Sequence, residues 1–323
     1  MTDVRALGAS GISTIPLMLG GNVFGWTADR AASFAVLDRF VERGGSLIDT
    51  ADVYSAWIPG NKGGESETIL GEWLKVSGMR DRVAIATKVG MLEIDGASGL
   101  SPAHIGRAVD ASLRRLQTDH IDLYFAHRDD PDVPQEEVLG AFDRLVRAGK
   151  VTAIGASNFT ADRLKSALAA SDAGGLARYT VLEPDYNLVT RGGFEGALQE
   201  LCVAEKVGVV PYFGLASGFL TGKYRSEADL AKSPRGYRVK DYFNGSGMAV
   251  LAAMDRIAGE TGASLAAIAL AWLAAQPAIV APIASAVSVE QLDQLFAAPE
   301  LRLSEEQLAR LSAAGRADPS APS

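Results

Sequence analysis

Sulfur chemistry is nearly absent from this chain. Of its 323 residues one is a cysteine, Cys202, so no disulfide can form within the chain and a disulfide-stapled secreted scaffold is excluded. Cys202 lies in an amphipathic pattern over 195–205 and reads as a small core residue. Histidine is scarce too. His104, His120 and His127 are widely separated, which offers no clustered ligand set for a metal and argues against a metal-assisted hydrolase. His104 falls in a first helical turn and His120 before a strand, so both read as solvent-facing. Long apolar runs are also missing. "ALAWLAAQPAIVAPIA" comes nearest to a membrane span, but Gln276, Pro277 and Pro282 interrupt it. The opening "MTDVRALGASG" has no basic stretch before an apolar one, so no secretory signal is expected. Positive charge is in deficit: the formal net charge is −8, against a general nucleic-acid binder. The expectation is a cytoplasmic protein that meets small molecules and needs neither membrane nor nucleic acid as a partner.

What the chain does have is apolar material, 48% of residues, enough for a large core. It is arranged in alternation. Short β-rich runs at 16–20, 46–49, 83–87, 121–126, 151–156, 180–184, 207–211 and 279–282 are separated by helical patterns. The helical patterns include 30–43, 65–76, 102–116, 135–148, 161–170, 194–205 and 289–297. Ser101 before Pro102, and Thr160, read as N-caps. No linker divides the chain, and low complexity is confined to the tail "ADPSAPS". Eight strands alternating with helices in one unit, 1–323, predict an α/β fold of the (β/α)8 TIM-barrel type. A doubly wound sheet would need a glycine-rich phosphate loop after the first strand, and the glycines at 20, 21 and 25 have the wrong spacing. Two departures from plain alternation stand out. Residues 3–15 read as an N-terminal β-hairpin, and 212–245 form a long polar loop after strand seven, a length usual in lids and binding loops.

Barrel active sites sit at the C-terminal ends of the strands. Here those ends carry Asp49, Lys88, His127, Ser157 with Asn158, Glu183 and Tyr212. A strand-end Asp is most often a turn residue. A different chemistry arises if Asp49 and Lys88 pair. The ammonium would then stand near Tyr54 and is expected to lower the phenol's pKa, poising it to exchange a proton. His127 would hydrogen-bond a substrate oxygen at the same centre. Such a group suits carbonyl reduction, with the proton going to oxygen and hydride to carbon.

"LIDTADVYS", "AIATKVG", "DLYFAHRDD", "AIGASNF" and "PYFGLASGFLTGKY" resemble the signature segments of the aldo-keto reductase family, in that family's order. The likeness runs from "LGGNVFGW" to "ASAVSVEQL" and is greater to the bacterial, potassium-channel-β-subunit-like branch than to the mammalian aldose reductases. The resemblance implies NAD(P)H-dependent interconversion of carbonyls and alcohols, with Asp49, Tyr54, Lys88 and His127 as the catalytic tetrad. For the cofactor it implies Gly21, Asn22 and Val23 in the first loop, Ser157 and Asn158 on the carboxamide, and Tyr212 on the nicotinamide ring. Leu215, Ser217 and Gly218 would embrace the pyrophosphate. Glu183 stands where the family usually has Gln, and it offers an acceptor in place of an amide. At the adenosine 2′-phosphate the family often has Lys or Arg; this chain has Ser285, Ser288 and Gln291. NADP(H) is expected on family habit, with NAD(H) as the alternative. Phe24, Trp26, Trp57 and Tyr224 are expected near the substrate mouth, where aromatics suit apolar or ring-bearing carbonyls and sugar faces. The competing function is a cofactor-sensing regulatory subunit like the potassium-channel β subunits.

Overall fold

The computed structural model describes residues 3–233 and 236–316; the low-complexity tail lies outside the described residues. Two short antiparallel strands, β1 (Arg5–Ala6) and β2 (Ser13–Thr14), form the expected hairpin. Eight parallel strands follow: β3 (Met18–Gly20), β4 (Leu47–Asp49), β5 (Ala84–Val89), β6 (Ile121–Ala126), β7 (Val151–Ser157), β8 (Tyr179–Glu183), β9 (Gly208–Val209) and β10 (Ile283–Ala284). From β3 to β9 each pairs with the next in sequence, and β10 returns to pair with β3. The segment leading into β10 also bonds to the β9 side. Val209 N–H donates to Ala278 O (3.0 Å), Val280 N–H to Val209 O (2.9 Å) and Ile283 N–H to Pro211 O (2.9 Å). The sheet therefore closes, as a (β/α)8 barrel requires.

The expected eighth strand, 279–282, is corrected to Ile283–Ala284 for its ladder with β3. Pro282 has no N–H to give, and the ladder starts on the residue after it. Upstream, Ile279 keeps one isolated bridge to Val209.

Helices α1 (Arg30–Glu42), α2 (Glu65–Ser77), α3 (Pro102–Leu116), α4 (Gln135–Arg147), α5 (Ala161–Gly174) and α6 (Ala197–Ala204) connect the strands. Ser101 and Thr160 cap α3 and α5 as expected, accepting from His104 N and Arg163 N. Two helices absent from the sequence reading, α7 (Gly245–Thr261) and α8 (Leu265–Ala274), precede β10. α9 (Val289–Leu295) and α10 (Glu305–Ala314) finish the described chain. In α8 every residue from Ala266 to Leu273 is buried, so it has no polar face to give a period. No single helix among the described residues is long and apolar enough to cross a membrane. His104, expected to face solvent, is buried. It lies on the inward stripe of α3 with Ala108 and Ser112, four and eight residues on. Between β9 and α7, three 3₁₀ turns organise the long polar loop: Ala216–Thr221, Glu227–Lys232 and Gly236–Tyr242.

The inside of the barrel explains the polar strand ends. Leu47, Ala86, Phe125 and Val181 belong to one buried apolar cluster. Side chains along a strand alternate faces, so the next inward positions are Asp49, Lys88, His127 and Glu183. Gly155 leaves room for the Phe125 ring (a Cβ there would stand 2.6 Å from Cδ1), and two residues later comes Ser157. The site is thus one polar layer stacked on an apolar one.

Candidate active site

Lys88 is the hub of that layer. Its Nζ donates to Asp49 Oδ1, to Thr50 O at 2.9 Å and to the Tyr54 hydroxyl at 3.1 Å. Its side chain is fully buried, and Asp49 is nearly so. Tyr54 sits in the loop after β4, edge-on to His127 with ring centroids 5.9 Å apart. The four residues singled out in the sequence are therefore together at one point. His127 Nδ1 is buried and has no hydrogen-bond partner.

A third charge, Glu183, completes the cluster. Its Oε1 lies 3.4 Å from Lys88 Nζ, and its Oε2 is buried without a hydrogen-bond partner. Two carboxylates thus share one ammonium. Burial opposes the charge on Lys88, but Asp49, Glu183 and Tyr54 together hold its pKa above the ordinary value. Burial drives the Asp49 carboxyl upward against the pull of Lys88. Glu183 is pushed up to about 8, by burial first and by Asp49 second, against Lys88. Asp49 has the closer contact with the ammonium, so we assign the charge to Asp49 and the proton to Glu183 near neutral pH. His127 is held well below the usual imidazole value, by burial and then by Lys88 and Arg128, and is neutral.

The expected lowering of the Tyr54 pKa is corrected. The phenol is raised: burial dominates, Asp49 and Glu183 add to it, and Lys88 only partly offsets them. Burial of the phenol opposes its anion more strongly than the one ammonium favours it. Tyr54 therefore keeps its proton in this state.

The residues expected at the cofactor lie around this cluster. Ser157 Oγ donates to Glu183 O at 2.9 Å, and Asn158 Nδ2 donates to His127 O at 2.9 Å. Tyr212 OH donates to Asn158 Oδ1 at 2.7 Å. Asn158 has a left-handed backbone, φ 58°. Past Tyr212 the chain adopts positive φ at Phe213, Ala216, Ser217 and Gly218 and forms a tight backbone cradle that includes Leu215. Lys223, which the sequence reading passed over, closes that cradle. A Cβ on Gly218 would stand 3.0 Å from its Nζ. Its signal in the sequence is the end of the motif "PYFGLASGFLTGKY", well before the cation-free stretch 285–291. Ser285 Oγ donates to Asn22 Oδ1 at 2.7 Å, which joins the first loop to the eighth strand. Gly21 N–H donates to Asp49 O at 2.7 Å, and Val23 is buried beneath. Ser288 and Gln291 are engaged with α9: Ser288 accepts from Gln291 N, and Gln291 Oε1 accepts from Val287 N at 3.1 Å. The buried unpaired Glu183 Oε2, the neighbouring Ser157 and Asn158, and the cradle closed by a lysine fit a nicotinamide dinucleotide.

At the mouth, Trp57 is 45% exposed and edge-on to both Tyr54 (5.6 Å) and Trp26 (5.8 Å). Phe24 and Tyr224 are corrected: both are fully buried in the main hydrophobic cluster and present no surface to a ligand. Phe24 belongs to the turn that Gly21 O closes by accepting from Phe24 N, which points the ring inward.

Comparison with known proteins agrees with this geometry. Residues 16–316 match the profile of the aldo/keto reductase family. The uncharacterized oxidoreductase YrpG of Bacillus subtilis is 34% identical over 95% of this chain and 94% of its own. Protein tas of Escherichia coli is 32% identical over 94% of this chain and 95% of its own. The aryl-alcohol dehydrogenase [NADP(+)] of Phanerodontia chrysosporium is 31% identical over 92% of this chain and 82% of its own.

Proposed function

This chain belongs to the aldo/keto reductase family and is an NAD(P)-dependent oxidoreductase; on that premise we propose that it interconverts a small carbonyl compound and its alcohol, with Tyr54 carrying the proton. The observation that supports this most directly is the Lys88 ammonium, hydrogen-bonded at once to Asp49 and, at 3.1 Å, to the Tyr54 hydroxyl. The bound nicotinamide would supply or accept the hydride.

The chain's own residues do the rest. Tyr54 offers its hydroxyl proton to the carbonyl oxygen, and Lys88 stabilises the phenolate left behind. Asp49 anchors Lys88 through the buried pair and keeps its Nζ aimed at the phenol. Neutral His127 orients the carbonyl oxygen beside Tyr54. Ser157 and Asn158 would hold the carboxamide, Tyr212 would cover the ring, and Leu215 to Gly218 with Lys223 would receive the phosphates. Trp26 and Trp57 would grip an apolar or ring-bearing substrate at the mouth. We favour NADP(H) over NAD(H), since two relatives at about this level of identity bear NADP(+) in their names. A single cysteine, Cys202, allows no disulfide within the chain, which fits a reducing compartment such as the cytoplasm.

Tyr54→Phe keeps the ring and removes the proton. Its turnover with a panel of aldehydes and ketones should fall by about 10²–10⁴-fold, the usual contribution of a positioned acid. NADPH binding, read from nicotinamide fluorescence, should survive. Undiminished turnover in Tyr54→Phe would sink the reading. Lys88→Met should lose turnover as well, because nothing else cationic touches the phenol's oxygen among the described contacts.

A further inference from the structure

Glu183 is an acid that the proton transfer does not call for. It ends β8 in the same inward layer as Asp49, Lys88, His127 and Ser157. The groups that face it come from every neighbouring element. Lys88 comes from β5 and Asp49 from β4, with Tyr54 from the loop beyond. Ser157, Asn158 and His127 lie on the β7 and β6 side. Asp185 and Tyr212 follow β8 and β9. Lys88 is the cation among them, and it already holds Asp49. With Asp49 and Glu183 both ionised, the ammonium they share leaves one anion too many. Glu183 Oε2 meets no donor at all.

A nicotinamide held by Ser157 and Asn158 would lie against this surplus. Its ring is cationic when oxidised and neutral when reduced. We infer that Glu183 discriminates between the two cofactor forms, ionised against the oxidised ring and protonated against the reduced one, so that binding the oxidised form expels a proton. The inference rests on the reading of this pocket as a nicotinamide site. It concerns affinity and proton count, not the hydride step. A buried carboxyl keeps its proton until a nearby cation favours the carboxylate. Glu183, already pushed up to about 8 by burial and Asp49, carries that proton at neutral pH in the free protein. Affinity for the oxidised cofactor should therefore rise with pH and level off above about 8. One proton released per molecule bound corresponds to about tenfold per pH unit at most. Affinity for the reduced cofactor should stay flat over the same range.

Glu183→Gln keeps the shape and removes the proton. Dissociation constants for NADP⁺ and NADPH would be measured by fluorescence titration from pH 6 to 9 on both proteins. The expected result is a steep pH dependence for NADP⁺ in the wild type and none in the variant. At pH 8 the variant should also favour NADPH over NADP⁺ by about a hundredfold more than the wild type does, the equivalent of a carboxyl pKa lowered by about two units on binding. A second measurement needs no variant. Calorimetry in two buffers of different ionisation enthalpy, at pH 7, should count about one proton released with NADP⁺ and about none with NADPH. Equal proton counts for the two forms, or the same pH slope in Glu183→Gln, would overturn the inference while leaving the proposed function standing. Absence of binding by either form would overturn both.

Discussion

Asp52, three residues beyond Asp49, is fully buried, and neither of its carboxylate oxygens meets a side-chain donor. Its carboxyl is pushed up to about 8, by burial first and by Glu67 second. The free acid thus binds a proton in the folded chain that the unfolded chain loses near pH 4. Stability from this group is complete below that lower value and is lost as pH climbs to about 8. Asp52→Asn cannot ionise. Its melting temperature should gain steadily on the wild type between about pH 4 and 8, then hold a constant lead above that; a lead that does not grow with pH would contradict the assignment. Asp52 was invisible in the sequence because its burial depends on helices that pack from far along the chain. Asp49, Lys88 and His127 were legible for the opposite reason. Each ends an apolar strand on an inward position, and alternation alone places it. Glu183 obeyed the same alternation, and the sequence marked it as a departure without revealing that it shares the ammonium of Lys88.

Between β5 and the helices outside it lies a second polar arrangement. Thr87, on the face opposite Lys88, donates to Glu67 Oε1 at 2.6 Å, and Arg115 Nε donates to Glu67 Oε2 at 2.6 Å. Glu67 is fully buried, so α2 and α3 are joined to the strand through one carboxylate. Arg115→Met would leave that carboxylate without its cation. A loss of about 3–5 kcal/mol in unfolding free energy is expected from denaturant titration, because removing one partner strands the other charge. A cost below 1 kcal/mol would mean that water replaces the arginine. Among elements, those with a clear period were readable: α3 and α4 each show one buried stripe. α8 was not, since it is apolar all round, and the ladder of β10 lay hidden behind Pro282. The long loop after β9 was identified by length, but its 3₁₀ turns carry no repeating pattern for a sequence to display.

At the scale of the molecule, the N-terminal hairpin works as part of the barrel. Leu7, at its turn, is fully buried in the same apolar cluster as Met18, Leu47, Val181 and Val210 from the barrel interior. Gly8 must be a glycine there: its φ is 55°, and a Cβ would come 2.8 Å from Gly208 N. Leu7→Ala should cost about 2–5 kcal/mol, read as a fall in melting temperature. Leu7 is remote from Tyr54 in the alternating layers, so activity measured well below that melting temperature should be unchanged. A large drop in activity at low temperature would show that the hairpin shapes the site. The barrel count and the hairpin were both visible in the sequence, but their joining was not, because a two-residue strand carries too little pattern to say what it packs on.

A stoppered barrel is a cul-de-sac. With Leu7 in the apolar cluster at the far end and an apolar layer beneath Lys88, the proposed carbonyl substrate would have to reach Tyr54 carbonyl first from the strand ends and leave the same way. Everything behind the carbonyl would then trail outward past Trp57. The enzyme should therefore be strict about branching next to the reacting carbon and indifferent to the length of the tail, as a blind alley limits the width of a vehicle and not the number of its carriages.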